Sequence, residues 1–414
     1  MLDRRYYLLL AAFFCSSIGD WLYRIALPIL IFQLTGSAFS MSLVYALTFL
    51  PFILVTPAGG VIADRLNRKG ILIYGDLLAG ILSVGLAVVS ILCVRGVVPT
   101  SVIYPLVFLV AAVASIYHPA FQSLIPQLVI PSRLAKANSY ISGADNLIYV
   151  VGPLVSGMVI VAFGAINAII LNAATFFVSA ALIALIRVET PIAAVGRRLR
   201  WSTITDDIKM GARYAWKTPV VKYGSLLFLF TNFGTGLVQA NFMYLLVNLL
   251  KIGARDVGIT IAITGTGALI GSLMAPYVLR HSSEGKTIAG CTALAGLATL
   301  LLIVAHSHVA AGAVWGLVCA CNSIIIVTYF TLRQRAVPGE YLGRAVAITR
   351  LVSYATIPVA AVLGGWILQN TNSFKPLVLV SAIIVLSGGV MAWRSPLNSI
   401  PFERADAERT LVNG

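Results

Sequence analysis

The sequence predicts an all-α membrane protein whose twelve transmembrane helices form two pseudo-symmetric halves of six. Three observations carry this prediction. The 414-residue chain has a mean hydropathy of +0.95, and only 10% of its residues are charged, against about 25% in soluble domains. Twelve apolar segments are long enough to cross a bilayer as helices, which takes about 20 residues. Finally, two stretches half a chain apart resemble each other.

The spans are predicted to be helices because lipid offers no partners to backbone N–H and C=O groups. The alternation with a period of two that marks a membrane β-barrel is absent. The first segment follows Arg4 and Arg5 but is too long for a signal peptide, so it is predicted to be a retained helix. The apolar segments cover about 6–34, 39–63, 71–94, 100–126, 137–163, 166–187, 220–250, 257–280, 287–305, 309–332, 343–369 and 374–393.

The two halves are related by an internal repeat. Residues 131–157 align with residues 338–365 at an offset of 207 residues, which places Gly157 on Gly364. Weak symmetry of this kind is typical of transporters built from two parallel repeats of six helices.

A hydrophilic segment separates the halves. Its residues 203–217 have the pattern of an amphipathic helix lying on the membrane, with Trp201 and Trp216 at the level of the lipid headgroups. The predicted organisation is a six-helix bundle, a cytoplasmic linker, a second bundle and a cytoplasmic tail, at residues 1–190, 191–219, 220–395 and 396–414.

The net charge of +15 is distributed as in a membrane protein, so we predict lipid and not nucleic acid as its electrostatic partner. With a cytoplasmic N-terminus and alternating loops, 23 of the 29 Lys and Arg residues fall on the cytoplasmic side. Four fall on the opposite side and two inside helices. This asymmetry follows the positive-inside rule. It predicts a multi-pass protein of the bacterial inner (cytoplasmic) membrane with both termini in the cytoplasm.

A charged loop after the second span carries a recognisable motif. Its spacing is G-x-x-x-D-R-x-x-R-K, with the residues Gly60, Asp64, Arg65, Arg68 and Lys69. A generic positive loop would explain the basic residues but not the glycine and the acid. The motif resembles the loop between helices 2 and 3 of the major facilitator superfamily, which implies that fold and a latch that closes the cytoplasmic side. Asp64 would then accept hydrogen bonds from the N–H groups that open helix 11, near residues 342–343.

Segments of helices 1, 4 and 5 resemble a bacterial branch of that family that includes the enterobactin (siderophore) exporters and the macrolide-efflux proteins. The resemblance implies a secondary transporter that exports an amphipathic small molecule by alternating access, with proton antiport. Gly152, Pro153 and Gly157 are similar to the antiporter signature G-P-x-x-G-G with one additional residue; an ordinary kinked helix is the alternative. Helix 4 lacks the arginine of the drug–proton antiporters, so proton coupling does not transfer directly.

Polar residues within the spans are candidate cavity and coupling residues, because an ionisable group at a helix centre costs about 2.5–3.5 kcal/mol to insert. In the family, helices 1, 4, 7 and 10 surround the cavity, and all four carry polar residues here. Asp20 and Arg24 are one turn apart and are either functional or a structural pair that neutralises itself. The candidates are Asp20, Arg24, His118, Gln122, Asp145, Asn232, Gln239, Asn241 and Asn322.

Three charges lie at similar depth on the cytoplasmic side. Asp76, Asp145 and Arg350 follow the nearest loop cation by seven, nine and six residues, or about 10, 13 and 9 Å of helix. We predict a gate network that includes Asp76 and Arg350. Asp145 is left open between this gate and a proton site.

The sequence offers no sign of an enzyme, a cofactor or a metal site. It contains no G-x-x-x-x-G-K-[ST] motif for ATP, its four histidines do not cluster with acids, and its five cysteines lie in apolar segments. The predicted partners are a small-molecule substrate, protons and membrane lipid, and the predicted state is a monomer. An importer or facilitator of a metabolite or lipid on the same fold is the alternative function.

Overall fold

The computed structural model describes residues 3–54, 67–130, 133–187, 216–337 and 339–398, and the side chains in these ranges other than those of 135, 339–348 and 350. Twelve long helices lie within this part of the chain. They are α1 Arg4–Thr35, α2 Ala38–Leu54, α3 Arg68–Val94, α4 Ile103–Leu128, α5 Leu134–Phe163, α6 Ala165–Ala184, α7 Pro219–Tyr244, α8 Ala254–His281, α9 Glu284–Leu300, α10 His308–Ala336, α11 Gly339–Thr371 and α12 Phe374–Arg394.

The helices match the predicted spans in order and number. Eleven are long and apolar enough to cross a membrane, and α2 is a shorter apolar helix of 17 residues that ends where the described range ends. The last part of the predicted second span therefore lies outside the described residues. A π-helical turn, Leu245–Leu249, extends α7 over the rest of its predicted span.

Local sequence explains where several helices begin and end. Gly36 ends α1 with a φ of 61°, a left-handed conformation that glycine adopts without strain. The Asn67 side chain caps the start of α3 by accepting hydrogen bonds from the backbone N–H groups of Lys69 and Gly70. Gly164, with a φ of +83°, separates α5 from α6.

The two halves use the same packing order. In the first half, α1 packs on α5 and α6, α3 on α4 and α6, and α2 on α4. In the second half, α7 packs on α11 and α12, α9 on α10 and α12, and α8 on α10. Each pair in one half becomes a pair in the other when six is added to its helix numbers. The predicted fold class, two pseudo-symmetric six-helix halves, is confirmed.

The halves meet along two seams, α2 against α11 and α5 against α8. We call the end of the bundle that carries the α1–α2, α5–α6 and α7–α8 connections the far end, and the opposite end the near end. At the far end, the Oγ of Ser37 lies 3.1 Å from the Oε1 of Gln369, and Ser42 Oγ donates to Asn241 Oδ1 at 2.5 Å. These described contacts close the far end.

The outer surface of the bundle is apolar. Large side chains such as Tyr74 on α3 and Leu273 on α8 are more than 70% exposed in the isolated chain. Soluble proteins rarely leave such groups exposed over a continuous surface. This surface suits a lipid environment, in agreement with the lengths of the spans.

Candidate functional site

A cavity of about 560 Å³ lies between the halves. Its walls come from all six helices of the first half and from α7, α8, α10 and α11 of the second. Sites for drug-sized ligands have volumes of roughly 300–1,000 Å³. The cavity is therefore large enough for a small organic molecule.

The acidic, basic and histidine side chains of the described cavity wall all come from the first half. They are Asp20, Arg24, Asp76 and His118. Three of them were predicted to face a cavity, and Asp76 was predicted to serve a gate.

Asp20 and Arg24 line the cavity on α1 but do not form an ion pair within 4 Å in the described structure. The guanidinium carbon of Arg24 lies 5.4 Å from the centre of the Trp21 ring, and Arg24 is exposed to the cavity. Of the two alternatives for these residues, functional groups or a self-neutralising pair, the described structure shows no direct ion pair and instead a cation–π contact. Both charges remain available to a ligand.

Asp76 on α3 is only 2% exposed and lines the inner wall of the cavity. Its Oδ2 accepts hydrogen bonds from Ser179 Oγ on α6 at 2.6 Å and from the Tyr117 hydroxyl on α4 at 3.4 Å. Both partners belong to the first half. The side chain of Arg350 lies outside the described residues, so the gate network stays a prediction.

His118 faces the cavity on α4, with its ring centre 6.1 Å from that of Phe52. Gln122, one turn on, is exposed but lies outside the described cavity lining, and so does Asp145 on α5. Of these three predicted residues, the structure brings only His118 to the cavity.

The second half contributes three aromatic side chains to the cavity lining, Phe242, Trp315 and Tyr354. Trp315 on α10 is 1% exposed, and its Nε1 donates a hydrogen bond of 2.6 Å to Gln239 Oε1 on α7. The Trp315 ring stacks on Phe242 with centres 5.7 Å apart. Gln239 thus orients a tryptophan at the edge of the cavity.

The other amides predicted at the cavity lie elsewhere. Asn232 donates to the backbone oxygen of Ser353 on α11 at 3.3 Å, within the second half. Asn241 is buried at the far end against Ser42. Asn322 on α10 is half-buried and does not line the described cavity.

The glycines of α5 pack against two different helices. Gly152 lies against the Trp21 side chain of α1. Gly157 lies against α8, where a Cβ on it would come within 2.7 Å of the Ala254 carbonyl oxygen. A Cβ on Gly258, in turn, would approach the Pro153 carbonyl oxygen. Small residues let the backbones of the two halves approach closely here.

The loop motif is described only at its end, because Gly60, Asp64 and Arg65 lie outside the described residues. Arg68 Nη1 donates to the Ser123 carbonyl oxygen near the end of α4, and Lys69 Nζ donates to the Ala184 carbonyl oxygen that ends α6. Cations at these positions complement the negative ends of the helix dipoles. These two residues therefore also bind the helix ends of their own half.

Sequence reasoning missed the aromatic side chains that line the cavity. Trp315, Tyr45 and Tyr354 lie in apolar helices, where an aromatic residue is the ordinary core choice. One available signal was the pairing of a membrane tryptophan with an amide that can accept from its N–H. Nothing in a single sequence indicates that Gln239 and Trp315, 76 residues apart, form that pair.

Two six-helix halves that enclose a mostly apolar cavity with a few charged side chains, closed at one end, define a membrane transporter. A model of the Major Facilitator Superfamily matches residues 9–357. The chain belongs to the Major Facilitator Superfamily.

Known relatives cover nearly the whole chain. The chain is 24% identical to the multidrug efflux pump Tap of Mycolicibacterium fortuitum over 95% of its own length and 96% of the pump. It is 23% identical to macrolide efflux protein A of Streptococcus pyogenes over 87% and 88% of the two chains. Among solved structures, a bacterial homologue of the iron transporter ferroportin in an inward-facing state matches with a TM-score of 0.74 at 20% identity, over 97% of this chain and 100% of that one.

Proposed function

We propose that this protein is a secondary active exporter of an amphipathic small molecule with a cationic group, such as a macrolide, and that it exchanges this substrate for protons. The observation that carries the proposal is the contrast between the cavity walls. The first half presents two carboxylates and most of the aromatic side chains of the cavity, and the described second half presents no charged side chain. The efflux relatives support the direction of transport.

The cavity favours a cation by its charges. Asp20 and Asp76 attract a protonated amine, and exposed aromatic side chains such as those of Tyr149 and Tyr354 suit the apolar body. A siderophore that carries negative charge is the second candidate substrate, and Arg24, exposed in the cavity, is the residue that would bind it.

Transport would proceed by alternating access. Residues 1–190 and 220–395 would rock against each other around the cavity, with the far end closed as described and the near end open to the cytoplasm. In this proposal the near end and both termini lie on the cytoplasmic side of the bacterial inner membrane. Reporter fusions at the C-terminus, active only in the cytoplasm or only outside it, test this orientation.

The function is tested by comparing cells that have or lack this protein. Mass spectrometry of the spent medium and of the cells, under iron-limited and iron-replete growth, is combined with measurement of erythromycin accumulation. Higher erythromycin inside the deficient cells supports cation export. A compound retained only under iron limitation assigns a siderophore. Lower accumulation of a compound in the deficient cells indicates an importer and contradicts the proposal.

A further inference from the structure

The first half contains a buried carboxylate that has only neutral hydrogen-bond partners. Asp76 receives its two hydrogen bonds from the hydroxyl groups of Ser179 and Tyr117, both at the same oxygen, Oδ2. No described Lys, Arg or His lies within ion-pair distance of it. Structural buried carboxylates in proteins are normally paired with a cation.

The second oxygen of Asp76 is the one available for chemistry. Oδ1 has no hydrogen-bond donor among the described residues, and Asp76 lines the cavity. Oδ1 is not fully buried, because it keeps some accessible surface. This oxygen therefore faces the cavity, where it can accept a proton or approach a cation.

Among the described residues, the groups that face Asp76 contain no fixed positive charge. From α1 come Asp20 and the thiol of Cys15, from α4 comes Tyr117, and from α6 comes the neutral Ser179. Asp20 differs because Arg24 on the same helix attracts its negative charge. The two carboxylates of the cavity are thus in different electrostatic surroundings: one has a nearby cation and the other does not.

We propose that Asp76 is the carboxylate that carries the coupled proton, while Asp20 keeps its charge for the substrate. This inference rests on the proposed function. When the far end is open, an O–H bond forms at Oδ1 with a proton from outside, and the neutral side chain no longer attracts the cationic substrate, which leaves. When the near end is open, the O–H bond breaks, the proton enters the cytoplasm, and the restored negative charge favours substrate binding.

The arrangement suits this cycle because both states of Asp76 have partners. The charged state keeps the hydrogen bonds from Ser179 and Tyr117 at Oδ2, and the neutral state loses the cost of an uncompensated buried charge. Asp145, the other sequence candidate, is exposed on α5 and lies outside the described lining. Its charge acts on His118 and Tyr149 in the cavity wall, but its own side chain does not line the described cavity.

The test separates coupling from binding in proteoliposomes with radiolabelled erythromycin as the probe. Accumulation driven by a pH gradient is measured beside exchange of labelled for unlabelled erythromycin without a gradient. We expect Asp76→Asn to lose gradient-driven accumulation, down to the level of protein-free vesicles. Exchange should be retained at saturating erythromycin but with a raised half-saturation concentration, because the amide mimics the neutral side chain while Asp20 still holds the cation. Asp76→Glu, which keeps a carboxyl group, should recover part of the accumulation. The control is Asp3→Asn, which removes an exposed carboxylate outside the cavity.

The outcomes are distinguishable. If the wild type shows neither accumulation nor exchange, the proposed function itself fails. If Asp76→Asn still accumulates erythromycin like the wild type, the proton-carrying role is overturned. Loss of both modes in a variant with an unchanged thermal midpoint also overturns it, because Asp76 would then serve substrate binding.

A second measurement needs no variant. Dicyclohexylcarbodiimide reacts with protonated carboxyl groups in apolar surroundings, and mass spectrometry locates the adduct. We expect modification of Asp76 in the wild-type protein, faster at low pH and slower with erythromycin present. Modification of Asp20 with Asp76 left unmodified would assign the proton to Asp20 and refute the inference.

Discussion

Two equivalent helix pairs, α3 with α4 and α9 with α10, are bridged by opposite chemistry in the two halves. In the first, Arg68 at the start of α3 donates to a backbone oxygen near the end of α4. In the second, the acid comes first: Glu284 at the start of α9 accepts a hydrogen bond of 3.2 Å from Arg335 near the end of α10. The packing order is shared, but the side chains that reinforce it are not.

The cavity walls differ in the same way. The described first-half wall carries the charges and most of the aromatic rings, and the described second-half wall is uncharged, with an amide that orients one of its three rings. The two halves therefore share a backbone architecture but differ in charge at the described cavity wall. The following changes break or sharpen this comparison.

The largest effect is expected where the halves touch at the far end. In Gly157→Ala, the new Cβ would meet the Ala254 carbonyl oxygen at 2.7 Å, and overpacking of this kind costs about 1–3 kcal/mol. The closed far end should lose population, so that a Ser37→Cys/Gln369→Cys pair cross-links less in a background without native cysteines. Gly143→Ala on the same helix, with open space around its Cβ, is the matched control. Equal cross-linking in both variants would contradict the assignment.

A crossed pair of substitutions tests the division of the cavity. Asp20→Asn removes a charge partner of the cation, and charged hydrogen bonds contribute about 1.5–3 kcal/mol, so binding of erythromycin should weaken at least about tenfold. Asp256→Asn, an acid outside the described cavity lining, should bind normally. Isothermal titration calorimetry measures both. Unchanged binding in Asp20→Asn would remove Asp20 from the site.

The aromatic side chains of the second half should contribute less to substrate binding. Trp315→Ala deletes a stacked ring, and aromatic pairs add about 0.5–1.5 kcal/mol beyond their buried area, so erythromycin binding should weaken several-fold. Trp315→Ala should weaken binding of an uncharged aromatic probe by a similar factor, whereas Asp20→Asn should weaken binding only of the cationic erythromycin. Trp393→Ala, at an exposed position on α12, is the control.

A buried amide in the first half should reduce stability. Asn172 on α6 is fully buried, and neither its Oδ1 nor its Nδ2 has a described partner. An unsatisfied buried polar group costs about 1–3 kcal/mol, part of which the shape change to leucine offsets. We therefore expect Asn172→Leu to raise the thermal midpoint of the purified protein. A lower midpoint would indicate that the amide binds ordered water.

The smallest effect is expected at the contact between α9 and α10. Glu284→Gln removes an ion pair whose Arg335 side chain is 63% exposed, and solvent-screened pairs contribute about 0–1 kcal/mol. The thermal midpoint should fall slightly, and the loss should be smaller at high salt. A large drop in the thermal midpoint would show that the contact between α9 and α10 depends on this ion pair.

The sequence by itself determined the number, order and character of the helices, because their apolar lengths respond to the bilayer and not to neighbouring helices. The internal repeat predicted the division into two six-helix halves. Asp20, Arg24, His118 and Gln239 were found at the cavity because polar groups are rare in such helices.

Only the tertiary structure decided which polar side chains face the cavity. Gln239 and Asn241 are two residues apart, so they point about 200° apart around α7. One orients Trp315 at the cavity and the other binds Ser42 across the far-end seam. The partners of Asp76 come from α4 and α6, 41 and 103 residues further along the chain. The direction of each helix face depends on which helices pack against it, and a single sequence does not contain that information.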